Sequence, residues 1–349
     1  MNFGDKTRFE KIASVYPRLR IGIVGDFCLD RYLEIDPNRR EESIETGLPV
    51  YNVVNVRAQP GGAGTILNNL VALGIGEIHP VGFCGMDGEG YELRRALSSK
   101  PHVHLDHFYS TELRRTFTYC KPLLVEPGKA PVELNRLDSK NWTPTPRPVE
   151  EQLIEAIRAL APTMDALIVL EQVDIADTGV VTRGVLDVLG AIAEQKPDLL
   201  VIADSRRGLR GYPRFTLKMN ATELSALTGA PASTNLDDLK RTASSLAKNH
   251  QRRVFVTLAE NGIIGADPDG SVEHVPALPV RGEIDIVGAG DAVTANLASA
   301  LAADATLKEA LQIANAAASI VIHQLGTTGT ASVGQIRELL FGEQADAGL

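Results

Sequence analysis

Cysteine is scarce. Cys28, Cys84 and Cys120 are the only three in 349 residues and stand without CxxC or any other ligand spacing. That argues against a disulfide framework or a thiolate metal centre and for reduced thiols in a cytoplasmic protein. Positive charge is also short: 35 Lys and Arg against 44 Asp and Glu give a formal net charge of −9. No global cationic field attracts nucleic acid or an anionic membrane, so an anionic substrate needs a local basic pocket. No apolar run reaches the roughly 20 residues of a membrane span, and the stretch MNFGDKTRFEKIASVYPRLR has no apolar core of the signal-peptide kind. Two familiar nucleotide loops are missing as well. After Gly62 and Gly64, the third position of a dinucleotide fingerprint holds Leu67. The one Gly-Lys pair, Gly128-Lys129, runs into Ala130 and lacks the upstream glycine of a Walker A loop. Internal repeats and low-complexity segments are absent.

What is present is a chain with 44% hydrophobic residues, enough for a large core in one big α/β unit or two domains. LRIGIVGD reads as a buried first strand ending at Gly25-Asp26. RYLEID and PVYNVVNVRA alternate polar and apolar residues, as strands exposed on one face do. GGAGTILNNLVALG opens on glycines and continues as a helix, and EIHPVGFCG follows as a strand. Residues 103 to 137 hold three further alternating segments, VHLDHFYS, RRTFTYCKPLL and PVELNRLD, which read as antiparallel strands completing a small sheet beside the body. The proline-dense NWTPTPRP is a loop. Beyond it come a helix near 149 to 161, strand ALIVL, a helix over 178 to 194, strand LLVIAD, helix ATELSALTG, a helix over 235 to 248 and strand RRVFVTLA. The hairpin-like NGIIGADPDGSVEHV and helices near 291 to 302 and 307 to 324 close the body. This order predicts a mostly parallel sheet with helices on both faces.

In such a sheet, ligands bind beyond the carboxyl ends of the strands. Four loops qualify, each with a plain alternative. Gly288-Ala289-Gly290-Asp291 leaves free amides at a helix start, an oxyanion or phosphate site, or else an ordinary turn with Asp291 as its cap. PGGAG at 60 to 64 is a second glycine turn before a helix, or a turn chosen for close packing. Asn220 and Glu223 flank a helix start, where a capping box is the commoner use of that spacing. VTLAENGIIGA ends a strand in a polar turn and, taken alone, is a hairpin. His102, His104, Asp106 and His107 have metal-ligand residue types, yet alternate positions on a strand more often form a solvated face. SRRGLR at 205 to 210 reads as a surface turn rather than an anion site.

The order of the pieces is more specific than any one of them. GDFCLD, the GGAG…NN helix, Asn-x-x-Glu, DIVGAGD and ANAAASIVIHQLGTTG together resemble the ribokinase/PfkB family of carbohydrate kinases over roughly residues 20 to 335. VGDFCLDRY, PGGAGTILNNLVALG, ELNRLD and ANAAASIVIHQLGT are most similar to its heptose 7-phosphate kinase branch. The resemblance implies a single ribokinase-like domain over 1–349: a three-layer α/β/α sandwich with a mostly parallel sheet and a β-sheet lid from about 31–57 and 103–137, able to pair two subunits. It implies ATP with Mg2+, and a sugar or sugar phosphate as acceptor. Asp291 would be the catalytic base, with Gly288, Ala289 and Gly290 as the anion hole. Asp30, Gly61 and Gly62 would bind sugar hydroxyls, with Thr65 in the sugar loop and Asn69 in the helix after it. Asn220 and Glu223 would organise Mg2+ and the triphosphate, Thr257 and Gly262 would lie along ATP, and Asn315 near the adenine. Asp285 and neighbouring carbonyls would sit where many relatives hold a monovalent cation.

The chemistry suits these residue types: a carboxylate in reach of a sugar hydroxyl accepts its proton, and preorganised donors take the phosphoryl charge. The chain also departs from its relatives. Ile286-Val287 removes the usual threonine beside Asp285, Thr65 replaces an asparagine of the heptose branch, Glu171-Gln172-Val173-Asp174 replaces a Ser-Asp-Tyr-type turn, and ADSRRG replaces Asp-Pro-Lys-Gly. These changes gather on the acceptor side. A nucleoside or simple hexose kinase, and a regulator that binds sugar or nucleotide without turnover, are the competing expectations.

Overall fold

The computed structural model describes residues 5–342. In chain order the elements are α1 (Lys6–Ala13), β1 (Arg20–Gly25), β2 (Phe27–Glu42), β3 (Pro49–Gly62), α2 (Ala63–Leu73), β4 (Glu77–Gly85), α3 (Gly88–Ser98), β5 (Phe108–Thr111), β6 (Thr118–Leu124) and β7 (Val132–Glu133). The second half runs α4 (Arg147–Leu160), β8 (Ala166–Glu171), α5 (Arg183–Gln195), β9 (Leu200–Ser205), β10 (Thr216–Asn220), α6 (Ala221–Thr228) and α7 (Leu236–His250). It ends with β11 (Val254–Thr257), β12 (Ile263–Ala266), β13 (Val272–Val275), α8 (Ala289–Ala302), α9 (Leu307–Val321) and α10 (Val333–Phe341).

The main sheet has nine strands in the order β13-β12-β11-β10-β9-β8-β1-β4-β5. It is parallel from β11 to β5, and β12 and β13 close one side as an antiparallel hairpin. Its strands read as continuous apolar runs because both faces are covered. Ile21 and Ile23 of β1 point into one core with α1, α2, α8, α9 and α10, whereas Val24 points into the other with α4, α5, α6 and α7. The three layers follow from that alternation. Helices α8 and α9 are buried nearly all round, and their alanines let them pack closely.

A second sheet, ordered β3-β2-β6-β7, rises from the ends of β1 and α2. Its long hairpin of β2 and β3 is antiparallel, but β6 joins β2 in parallel. Two expectations for residues 103 to 137 therefore change. Of VHLDHFYS only the end, from Phe108, is in a strand, and it pairs with β4 at the edge of the main sheet and not in the small one; β6 meets β7 antiparallel as expected but meets β2 in parallel. Alternation reports a half-buried strand but says nothing about which neighbour it meets. The helix expected from 178 begins instead at Arg183, because Thr182 caps it and residues 178 to 180 are drawn into the site.

Candidate active site

The chain runs outward in opposite directions from β1, toward β4 on one side and β8 on the other, which makes the end of β1 a topological switch point. Asp26 stands there, 4% exposed. Its carboxylate accepts the backbone N–H groups of Gln172 (2.7 Å), Val173 (3.2 Å) and Val180 (2.6 Å), stitching the loop after β8 to the end of β1. Burial pushes its pKa up to about 6 against the pull of those donors. Asp26 thus shapes the cleft floor.

Asp30 follows on β2, also buried, with Lys121 Nζ of β6 at 3.3 Å. Burial raises its pKa, and Lys121 opposes the rise. Gly61 lies on β3 against this carboxylate, and a Cβ there would collide with Asp30 Oδ2. The glycine is required by close approach. Thr65 is buried at the start of α2, and Asn69 is buried one turn later, where its amide donates to the carbonyls of Thr65 (3.0 Å) and Gly329 (3.4 Å). In these contacts Asn69 is a tether between α2 and the loop at 326 to 330.

Helix α8 starts opposite. Gly288 caps it with φ 84°, the left-handed region that a side chain strains. A Cβ on it would lie 3.3 Å from Thr328 and 3.5 Å from Thr65. Asp291 is in the first turn, crowded by protein yet partly open to water, as a group at the bottom of a cleft is. Burial pushes its carboxyl up to about 7, Asp204 and Asp30 push the same way, and Lys218 pulls it down. The Gly288 turn meets Thr65 at the start of α2, and Gly61, just ahead of α2, meets Asp30, so the two aspartates flank the same helix start.

Lys218, unmarked in the sequence reading, is the cation of this cleft. It is 7% exposed, its ammonium 2.7 Å from Asp204 Oδ2, and a Cβ on Gly290 would lie 3.1 Å from its Nζ. Burial alone would depress its pKa, but Asp204 holds it above the usual value. Asp204 also accepts the Thr294 hydroxyl of α8 at 3.1 Å. Neighbouring strands β9 and β10 thereby bolt a lysine beside the glycine turn. The same turn is anchored from the other side: Asp285 accepts the N–H of Val287 (3.0 Å) and of Gly326 (3.3 Å), while Gln59 of β3 donates to Thr328 (3.0 Å). The loop at 326 to 330 joins the small sheet, α2 and the start of α8.

Asn220 and Glu223 form the full capping box of α6, with N–H to carboxylate at 2.7 Å and N–H to amide oxygen at 2.9 Å. Burial raises the Glu223 pKa. The carboxylate faces the same charge pair, since Asp204 and Lys218 both act on it. Thr257 ends β11, and Gly262, φ 87°, makes the β11–β12 hairpin. Asn315 of α9 is buried and donates to the Pro276 carbonyl at 2.9 Å, which ties α9 to the segment after β13.

The wall beyond Asp30 is where the sequence reading missed most. Glu171, ending β8 at 2% exposure, accepts Ser205 Oγ (2.6 Å), Arg207 Nη1 (2.7 Å) and the Tyr212 hydroxyl (2.9 Å). SRRGLR is at the surface as expected, with Arg206, Arg207 and Arg210 exposed, but Ser205 and Arg207 tie it to the body by satisfying a buried carboxylate. The turn carries Arg206, whose Nη1 reaches the Tyr119 hydroxyl at 3.4 Å. Arg136 lies 4.5 Å over the Tyr119 ring, and Lys140 lies 5.6 Å from it while pairing with Asp174 at 2.7 Å. Tyr119 pairs in register with Asp30. A pocket lined by Phe117, Lys140, Trp142, Val173 and Asp174 adjoins this wall. The wall thus gathers three cations from two distant stretches of the chain, with Arg136 held by Asp138 (3.1 and 2.9 Å) and Arg206 3.8 Å from Asp174.

Among known proteins, the chain is 31% identical over 324 residues to the "Bifunctional protein HldE" of Gluconobacter oxydans, covering 92% of this chain and 64% of that one. It is 32% identical to the protein of the same name in Rhodospirillum rubrum, covering 91% and 61%. The chain thus spans less than two thirds of the length of these curated relatives. Its fold matches the ribokinase of Arabidopsis thaliana complexed with ribose and ATP, with a TM-score of 0.64, 20% identity and coverage of 93% and 99%. It also matches phosphofructokinase-2 of Escherichia coli in complex with fructose-6-phosphate, with a TM-score of 0.66, 20% identity and coverage of 92% and 98%. No helix among the described residues is long and apolar enough to cross a membrane. The description "pfkB family carbohydrate kinase" matches residues 27–333, and the chain belongs to that family of sugar kinases.

Proposed function

We propose that this kinase transfers the γ-phosphoryl group of ATP to a hydroxyl of a sugar phosphate of the heptose 7-phosphate kind, with Asp291 as general base. The observation that carries the reading is one cleft with two unlike ends. Asp291, Lys218 and the Gly288–Gly290 amides form one, and Asp30 with the Tyr119, Arg136, Lys140 and Arg206 wall forms the other.

In this mechanism Asp30 and the Gly61-Gly62 backbone orient the acceptor so that one hydroxyl faces Asp291. The hydroxyl oxygen attacks the γ-phosphorus, its proton passes to the Asp291 carboxylate, and the bond from the γ-phosphorus to the bridging oxygen breaks to release ADP. The α8 amides and Lys218 take up charge on the equatorial oxygens, where such transfer needs most of its stabilisation. Glu223 keeps lone pairs beyond its one capping bond, and Asn220 offers an amide oxygen, an oxygen donor set of the kind Mg2+ accepts through water. Mg2+ held by this set would neutralise phosphate charge. Thr257, Gly262 and Asn315 line the path proposed for the nucleotide. At the far end, guanidinium groups suit the planar, bidentate grip of a phosphate. Asp285 uses both carboxylate oxygens on backbone N–H groups, which holds the turn whether or not a monovalent cation sits beside it.

The small sheet would act as a lid. Its β3 strand exposes Tyr51, Val53, Val54 and Val56, an apolar face suited to a second copy of the chain. Three buried free cysteines fit a reducing cytoplasm.

The test is ADP release from Mg-ATP with paired acceptors: heptose and heptose 7-phosphate, fructose and fructose 6-phosphate, and a nucleoside. Preference for the phosphorylated member of a pair is expected. Preference for a nucleoside or unphosphorylated hexose would replace this reading with the rival kinase, and no acceptor-dependent ADP at all would favour a binding protein without turnover. Trp142, the one tryptophan, lies on the adjoining pocket, and a change in its fluorescence on addition of acceptor is the expected sign of binding.

A further inference from the structure

At the amino end of β4, away from the cleft at the carboxyl ends of the strands, three ligand-type side chains meet. β4 opens Glu77-Ile78-His79, so Glu77 and His79 share one face while Ile78 enters the core. The next chain is held alongside by a parallel bridge between Ile78 and Val103, with Ile78 N–H donating to the His102 carbonyl (2.9 Å) and His104 N–H donating to the Ile78 carbonyl (2.9 Å). That register sets His104 beside His79, ring centroids 4.9 Å apart. One ligand atom from each of Glu77, His79 and His104 lies within 4.8 Å of the others.

We propose that Glu77, His79 and His104 form a divalent transition-metal site, best suited to Zn2+, which clips the segment leading into β5 onto β4. Two imidazoles and one carboxylate are a borderline-soft donor set of the zinc type, and a single carboxylate is too few oxygens for Ca2+ or Mg2+. His79 Nε2 and Glu77 Oε2 are 3.1 Å apart, close to the roughly 3.3 Å between two ligands of a tetrahedral ion with bonds of about 2.0–2.1 Å. Two of the three ligands therefore stand near bonding separation already. His104 is exposed and completes the set by turning its ring, which leaves the fourth position to water. His79 is buried between Glu77 and His104, so its ring is already held in place on β4.

The competing partner is Arg20 of β1, whose Nε holds Glu77 Oε2 at 2.9 Å, and whose own N–H is taken by Asp165. Both side chains of the Arg20–Glu77 pair are more than a third exposed, and such surface pairs are weak enough for a metal to displace. His102, Asp106 and His107, grouped with His104 by their spacing, are not in the cluster. The partners come from β4, which spacing alone does not reach.

The full chain, stripped with chelator, is titrated with ZnCl2 alone by calorimetry, beside His104→Ala and Glu77→Gln. His104 is exposed, so its removal leaves the fold intact. One equivalent of zinc should bind the wild type, with affinity lowered at least tenfold in each variant. Zinc should raise the melting temperature of the wild type and not that of His104→Ala, because a ligand of the native state stabilises it. No stoichiometric binding, or binding unchanged in His104→Ala, would overturn the proposal, and neither result touches the kinase reading.

Discussion

The two ends of the cleft are built in different ways. The donor end is backbone and small residues: a left-handed Gly288, the amides of α8, and a carboxylate and an ammonium held by neighbouring strands. The acceptor end is long side chains braced against each other, Glu171 with Ser205, Arg207 and Tyr212, and Tyr119 among Arg136, Lys140 and Arg206. In the proposed mechanism the first kind of site meets a phosphoryl group that is the same in every reaction of this class. The second, in that mechanism, is free to change with the sugar, and the chain's departures from the heptose branch at 171–174 and 205–208 fall there. In the fold they meet, since Glu171 is paired to Ser205 and Arg207, so the two replacements act as one.

The comparison breaks most sharply at Asp291. Asp291→Asn keeps the shape and removes the proton acceptor, so kcat should fall about a hundred- to ten-thousandfold, the usual worth of general base catalysis, with acceptor binding by Trp142 fluorescence retained. At the other end, Gly61→Ala forces a methyl group against the Asp30 carboxylate. Its kcat/KM for the acceptor should drop roughly a hundredfold, the order expected from a displacement of about 1 Å, while the Kd for ATP stays near that of the wild type. Arg206→Ala is milder: loss of one charge-assisted contact should raise KM for a phosphorylated acceptor about tenfold and leave its unphosphorylated partner unaffected in steady-state assays. An equal effect on both members of the pair would show that Arg206 only braces the wall.

The same division governs what a sequence makes legible. Asp291, Asp30, the glycine turns and the Asn220 to Glu223 spacing are local patterns, and local patterns survive in one dimension. The layered fold was legible because apolar runs and helical stretches alternate. Lys218 was not: in KMNATEL it is one polar residue within a strand, and only the β9–β10 pairing gives it Asp204. Arg206 and Arg207 are exposed, as read, but their partners, Tyr119 and Glu171, lie far away in the chain and could not be named from it. VHLDHFYS read as a strand throughout, yet only its end from Phe108 is one, and the edge position of that end beside β4 depends on a neighbour that no periodicity names.

The smallest expected shift is also the most direct test of the claim that Asp291 is the base in a cleft it shares with Asp204, Lys218 and Asp30. Its raised pKa means that the carboxyl is neutral and idle on the acid side, and that the active carboxylate gains population as pH rises through about 7. The profile of kcat/KM for the substrate that binds first reports groups of the free enzyme. It should rise with an apparent pKa near 7 in the wild type, and Asp204→Asn should move that limb to lower pH by removing the charge that raises it. A limb in the ordinary carboxylate range, or one that Asp204→Asn leaves in place, would contradict the account.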